Sequence, residues 1–408
     1  MSSLPMQRAL FPLLYPFSKL YALMMSYRRK QYELGAKEQF SPKAPCVSVG
    51  NISWGGSGKT PVVSWLLEWA DKYHYLPVVL TRGYKATPPR TPYLVTSKST
   101  AAEAGDEPLM LAHAHRRAHI VVDPIRKRSG AWAQRSFRPE IVILDDGFQH
   151  LAVKRDINLV LLKPEDLTSE WDRVIPAGSW REDQSALSKA DAFLIKADTL
   201  APLKAVIQER LAKFGKPVFS FSLLPQYLVP VSAAAAEKFE AAKDNDTPVT
   251  LESYVLFNGV GEPEQVEETA KRFMGRAPYK HQRFADHHAY TESEIAEMGN
   301  LGLPLVCTPK DAVKVPEVLG IEVWTFVLRT KFGDSMYSKQ SFSDWWQEQW
   351  ESLRNGGSRK PAGKAPDVST KGAEKNKPAK QTAPAAPKAP SKKASVASVP
   401  RPKLKHEK

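Results

Sequence analysis

The run Gly-Gly-Ser-Gly-Lys-Thr at residues 55–60, inside GNISWGGSGKTP (Gly50–Pro61), is the stretch best equipped to do chemistry. Cys46–Gly50 before it reads as a short buried strand, and Val62–Ala70 after it as an apolar helix. Backbone amides around Gly55, Gly56 and Gly58 then have to approach an anion closely, which makes the turn a cradle for polyphosphate. In such a loop Lys59 reaches the outer phosphates and the Thr60 hydroxyl turns to a bound Mg²⁺. One position departs from the G-x-x-x-x-G-K-[ST] spacing, which expects glycine where this chain has Ser53.

A phosphate cradle by itself says only nucleotide, and its partners decide between group transfer and plain hydrolysis. Asp145 and Asp146 close an apolar run, Ile141–Leu144, where a second carboxylate organises Mg²⁺ in loops of this kind. Asp106, in GDEP (Gly105–Pro108), stands before a helix expected to begin near Leu109 and is the candidate base for an acceptor hydroxyl. His287 or His288, in FADHHAYT (Phe284–Thr291), is the group to hold or tune that base, with His287 favoured. Arg181 and Glu182, after PAGSW, offer a clamp for phosphoryl charge. The guanine-reading Asn-Lys-x-Asp pattern is only half present in Ile195-Lys196-Ala197-Asp198, which lacks the asparagine and so weakens a GTPase reading.

These groups need a frame. From Cys46 onward short apolar runs at Pro77–Leu80, His119–Val122, Ile141–Leu144, Ile157–Leu162 and Ala192–Ile195 alternate with polar helical stretches. That repeat predicts an α/β fold: a P-loop-type, mostly parallel sheet with helices on both faces and ligands at the carboxyl ends of the strands. TRGY (Thr81–Tyr84) and LDDGFQH (Leu144–His150) follow such strands and should face the cradle. A second, smaller α/β unit is expected around Tyr254–Phe257, Leu305–Cys307 and Val323–Leu328. The divisions are 1–35 for an amino-terminal helix, 36–225 for the P-loop domain, 226–250 for a linker, 251–350 for the second domain and 351–408 for a disordered tail.

Charge is distributed unevenly. Residues 355–408 hold 14 Lys or Arg against 3 Asp or Glu, an excess of +11 out of the chain's +14. The body is therefore nearly balanced, and no specific nucleic-acid partner is expected of it. The tail suits anionic lipid or another anionic polymer without choosing between them. Between Arg8 and Arg28 the only charge is Lys19, and LFPLLYPFSKLYALMMSY is dense in Leu, Met, Phe and Tyr. Pro12, Pro16 and Lys19 argue against a spanning helix and for one lying in a membrane interface, anchored by Arg28-Arg29-Lys30. Cys46 and Cys307 sit in apolar runs without metal-ligand spacing and read as reduced core thiols.

Taken together in this order, SVGNISWGGSGKTP, TRGY, GDEP, LDDGFQH with RDINLVLL, PAGSWRE, FNGVGEPE, FADHHAYT and TPKDAVK (Thr308–Lys314) resemble the tetraacyldisaccharide 4'-kinases over residues 9–329. Ser53 falls within that family's own loop variant, whereas Pro309 stands where the family more often has Glu and Trp54 is bulkier than usual. The resemblance implies ATP held by Ser53, Trp54, Gly55, Gly56, Ser57, Gly58, Lys59 and Thr60, and Mg²⁺ organised by Thr60 with Asp145 or Asp146. It further implies Asp106 as base with His287 as its partner, with Arg181 and Glu182 carried along. The acceptor would be the 4'-hydroxyl of the lipid A disaccharide precursor, phosphorylated to lipid IVA at the cytoplasmic face of the inner membrane. The alternative is a P-loop GTPase or metallochaperone-type NTPase that hydrolyses nucleotide without a lipid acceptor.

Overall fold

Aliphatic and β-branched runs bounded by polar turns form strands at nearly every predicted place. A computed structural model describes residues 10–244 and 249–356. The strands are β1 (Cys46–Asn51), β2 (Pro77–Thr81), β3 (Tyr93–Leu94), β4 (His119–Val122), β5 (Ile141–Asp145) and β6 (Ile157–Leu162). They continue with β7 (Ala192–Lys196), β8 (Val218–Pro230), β9 (Val255–Asn258), β10 (Lys280–Arg283), β11 (Leu305–Cys307) and β12 (Val323–Met336). All twelve join one sheet in the order β10-β9-β11-β12-β8-β7-β6-β1-β5-β2-β4-β3.

The strand carrying the cradle lies between β6 and β5, parallel to both, so Asp145 at the end of β5 pairs in register with Val49 beside the loop. Every residue of β1, β5 and β6 is buried, as expected of a parallel strand covered on both faces. The helix after the loop, Lys59–Lys72, buries Val62, Val63, Leu66, Leu67, Trp69 and Ala70. Each of the Val and Leu side chains contributes about 1.5–3 kcal/mol on leaving water. Its outer side is closed by the helix Phe342–Arg354, whose Trp346 and Trp350 rings stand edge-on to Trp69 at 5.2 and 5.0 Å.

The stretch Val218–Pro230, which runs into the expected linker 226–250, is a strand. β8 pairs antiparallel with β12 from Val218 to Pro230, and the expected linker 226–250 contains the end of that strand and the helix Ala233–Asp244. Pro225 is accommodated because the register slips between Val327 and Leu328, opposite it, where a missing N–H is tolerated. The two α/β halves thus share a continuous sheet, and the described residues belong to one compact unit. The helix begun by GDEP starts at Asp106 itself, earlier than Leu109. Residues 351–354, assigned to the tail, complete the last helix; the tail beyond residue 356 lies outside the described residues.

At the amino end Phe11–Glu33 form one helix, with Pro12 in its first turn and Pro16 inside. Ser18, Ala22 and Arg29 are buried against the body, while Leu20 and Leu23 are each 67% exposed, alongside Leu13, Phe17, Met24 and Tyr27. Among the described residues no helix is long and apolar enough to cross a membrane.

Candidate active site

The loop delivers what a phosphate cradle needs. Gly58 caps the Lys59–Lys72 helix in the left-handed region at φ +84°, and a Cβ there would meet Phe221 at 2.9 Å, so the position requires glycine. Lys59 Nζ lies 3.1 Å from Asn51 Oδ1 and 3.6 Å from Asp146 Oδ1. Thr60 donates its hydroxyl to Glu107 Oε2 at 2.8 Å. The Ser57 hydroxyl is buried and has no hydrogen-bond partner among the described residues, a donor left for an anion.

Behind the lysine stand the paired acids. Thr81 of TRGY donates to Asp145 Oδ2 at 2.9 Å, and the buried Arg126 donates to the Asp145 carbonyl at 3.1 Å. Burial, then Glu107 and Asp146, lift the Asp145 carboxyl to about 6, with Lys59 and Thr81 opposing. For Asp146 burial also acts upward, but Lys59 and Arg181 prevail and hold it below the usual carboxylate range. Arg181 Nη1 reaches both Asp146 oxygens at 2.9 Å and Gln149 Oε1 at 3.2 Å.

Across from this cluster, residues 181 positions apart meet. His287 Nδ1 is 2.9 Å from Asp106 Oδ2. Lys310 Nζ is 3.2 Å from His287 Nε2 and 2.8 Å from Asp286 Oδ1. Lys314 Nζ is 3.2 Å from Asp106 Oδ2 and 3.5 Å from Asp311 Oδ1. Tyr84 of TRGY lies against His287 with ring centroids 5.6 Å apart. His288 turns elsewhere: it stacks on Phe284 at 4.6 Å and pairs with Glu294 at 3.0 Å, so the neighbour of Asp106 is His287.

Comparison with known proteins gives one consistent result. Residues 10–346 match the family described as Tetraacyldisaccharide-1-P 4'-kinase. The chain is 52% identical to the Tetraacyldisaccharide 4'-kinase of Oleidesulfovibrio alaskensis, over 86% of this chain and 99% of that protein. It is 48% identical to that of Nitratidesulfovibrio vulgaris, over 85% and 96%. This chain belongs to the tetraacyldisaccharide 4'-kinase family. The fold agrees with a crystal structure of LpxK from Aquifex aeolicus in complex with ATP: TM-score 0.64 and 28% identity, covering 85% of this chain and 99% of that one.

Within this kinase the predicted residues divide. Lys59, Asp146 and Arg181 form one chain of contacts, with Asp145 within electrostatic reach of Lys59 and Asp146; Thr60 binds Glu107, and Asp106 with His287 forms a second contact. Two of the predicted residues turn their side chains to other partners. Glu182, expected beside the phosphoryl group, binds Arg29 of the amino-terminal helix at 2.6 Å in a buried ion pair, whereas its neighbour Arg181 binds Asp146. Ser53 turns its hydroxyl to buried Asp166 at 3.0 Å, which also accepts from Trp180 at 3.2 Å, so only its backbone belongs to the loop. Trp54 is 44% exposed, and its amide donates to Ser179 at 3.1 Å.

Asn51, Glu107, Arg126, Gln149, Lys310 and Lys314 were missed by sequence reasoning. Glu107 adjoins Asp106 in GDEP, Asn51 lies in GNISWGGSGKTP, Gln149 in LDDGFQH and the two lysines in TPKDAVK, so a signal existed for those five; Arg126 lies outside these motifs. Lys163, at the end of β6, is a further cation near the loop, its Nζ 3.5 Å from where a Cβ on Gly55 would sit.

Proposed function

We propose that the chain transfers the γ-phosphoryl group of ATP to the 4'-hydroxyl of a tetraacylated glucosamine disaccharide 1-phosphate, giving lipid IVA. The observation that carries this reading is the Asp106–His287 hydrogen bond: it brings a base candidate from one half and its partner from the other together in the fold that holds the loop. Gly55–Thr60 receive the nucleotide phosphates through backbone amides, the Ser57 hydroxyl and the Lys59 ammonium. Asp106 takes the proton from the sugar hydroxyl as that oxygen bonds to phosphorus and the bond to the leaving diphosphate breaks. Arg181, tied to Asp146, is aimed to offset charge on the moving group.

The acidic cluster fits Mg²⁺. Asp145 Oδ1 is buried with no hydrogen-bond partner among the described residues, and the raised carboxyl marks a place short of positive charge. Among the described residues no three His, Cys, Asp or Glu side chains converge as a complete metal cage. That suits an ion bound through one or two carboxylates and completed by substrate phosphates. Thr60, Asp145 and Asp146 would hold it, and when bound it neutralises charge on the phosphate oxygens.

The amino-terminal helix supports a place at the cytoplasmic face of the inner membrane. Its outward Leu13, Phe17, Leu20, Leu23, Met24 and Tyr27 form an apolar face beside Arg28 and Lys30, the composition of an interfacial helix. Acyl chains of the acceptor stay in the bilayer while the sugar reaches Asp106. The deciding assay is transfer of labelled γ-phosphate from ATP to purified acceptor in detergent micelles. Acceptor-dependent ADP release with labelled lipid is expected; nucleotide hydrolysis indifferent to acceptor would instead favour an NTPase.

A further inference from the structure

TPKDAVK (Thr308–Lys314) is the quoted motif to which the reaction above gives no task. Its middle is a rigid platform. Asp311 is fully buried and receives the Thr308 hydroxyl at 2.6 Å, the Tyr290 hydroxyl at 2.9 Å and the Gly259 amide at 3.1 Å. The platform sends out two ammonium groups four residues apart. Lys310 reaches the far nitrogen of His287, and Lys314 reaches the same Asp106 oxygen that His287 binds.

The chemistry of these contacts fixes more than position. An ammonium only donates, so the Lys310 contact calls for a lone pair on His287 Nε2, which in a neutral imidazole puts the ring hydrogen on Nδ1, toward Asp106 Oδ2; Asp286 Oδ2 lies 3.8 Å from the same Nε2. Lys314 is 95% buried at its side chain, and its ammonium makes no hydrogen bond among the described residues, although it stands 3.2 Å from Oδ2. Holding an ammonium out of water without full hydrogen bonding is costly, and its proximity to Asp106 and Asp311 offsets that cost. Both contacts load Oδ2, whereas Asp106 Oδ1 has no hydrogen-bond partner among the described residues and remains for the acceptor hydroxyl.

We propose that Lys310 and Lys314 are positioning residues for the Asp106–His287 pair: Lys310 sets the histidine tautomer, and Lys314 pins Oδ2 so that Oδ1 faces the acceptor. This rests on Asp106 being the base. The full chain is assayed as Lys314→Met, Lys314→Arg, Lys310→Met, Asp106→Ala and the Asp106→Ala/Lys314→Met double variant, each checked by circular dichroism. Lys314→Met should lower kcat about 10- to 100-fold, the scale of losing one close buried ion-pair contact, with the KM for ATP within about twofold. Lys314→Arg should recover part of that loss, and the double variant should be no slower than Asp106→Ala. A kcat for Lys314→Met within about threefold of the parent overturns the proposal. So does a loss confined to acceptor KM, or a double variant slowed by the full additional factor. If Lys314→Met does not fold, Lys310→Met, at a less buried side chain, carries the same kcat test. Near-parental turnover in Asp106→Ala overturns the base itself, whereas a slow Asp106→Ala beside fast lysine variants removes only this inference.

Discussion

The phosphate side and the acceptor side of the site handle charge in opposite ways. Around the loop, Asp145 has an unpartnered carboxylate oxygen and a carboxyl lifted to about 6, Ser57 an unpartnered hydroxyl, and Lys59 a place between Asn51 and Asp146. That side is arranged for charge that arrives with substrate. On the other side, Asp106 is already engaged by His287 and Lys314, and Lys310 holds the far side of the imidazole. Those contacts are already made, which suits the proton transfer to Asp106 proposed above.

The largest effect should separate the sides. Lys59→Ala is expected to abolish detectable transfer and to weaken nucleotide binding in calorimetry, with the fold intact. A folded variant with normal turnover would mean the loop does not grip phosphate. Asp106→Ala should reduce kcat by ~10²–10⁴ while leaving nucleotide binding unchanged. If both variants lose nucleotide affinity equally, the division into two sides is wrong.

A third test uses pH on metal-free, nucleotide-free protein. Asp145 binds its proton more tightly in the folded chain, so its stabilisation is complete below about pH 4 and is lost as pH rises through about 6. The loss is about 3 kcal/mol for a shift of roughly two units. Asp145→Asn should flatten that slope and raise Tm by a few degrees at pH 7.5; an unchanged slope assigns the titration elsewhere. The smallest effect concerns the outer helix face. Leu20→Ser with Leu23→Ser should weaken partitioning to anionic vesicles by about tenfold or more, with Tm unchanged. Parental partitioning would remove that face from membrane contact.

Most strands and the loop were legible because buried parallel strands leave uninterrupted apolar runs. β8 was not, since Pro225 and Pro230 look like breakers until the bulge opposite Pro225 is known. Asp106 and Lys59 could be read because each follows a strand or opens a helix in a recognisable pattern. Glu182 could not: nothing in Trp-Arg-Glu tells which neighbour faces Asp146 and which faces Arg29, 153 residues earlier. His287 and His288 differ only through backbone direction, with φ +66° at His287, and that is set by the loop as a whole.

The two cysteines have a practical consequence. Cys46 opens the strand that leads into the loop and Cys307 closes β11 in the other half; both are fully buried, and burial raises both thiols. Neither can react until its own region opens, so the rates at which an alkylating reagent captures them time the breathing of each half separately. Nucleotide added alone should slow the Cys46 clock more than the Cys307 clock, which gives a readout of coupling that needs no lipid.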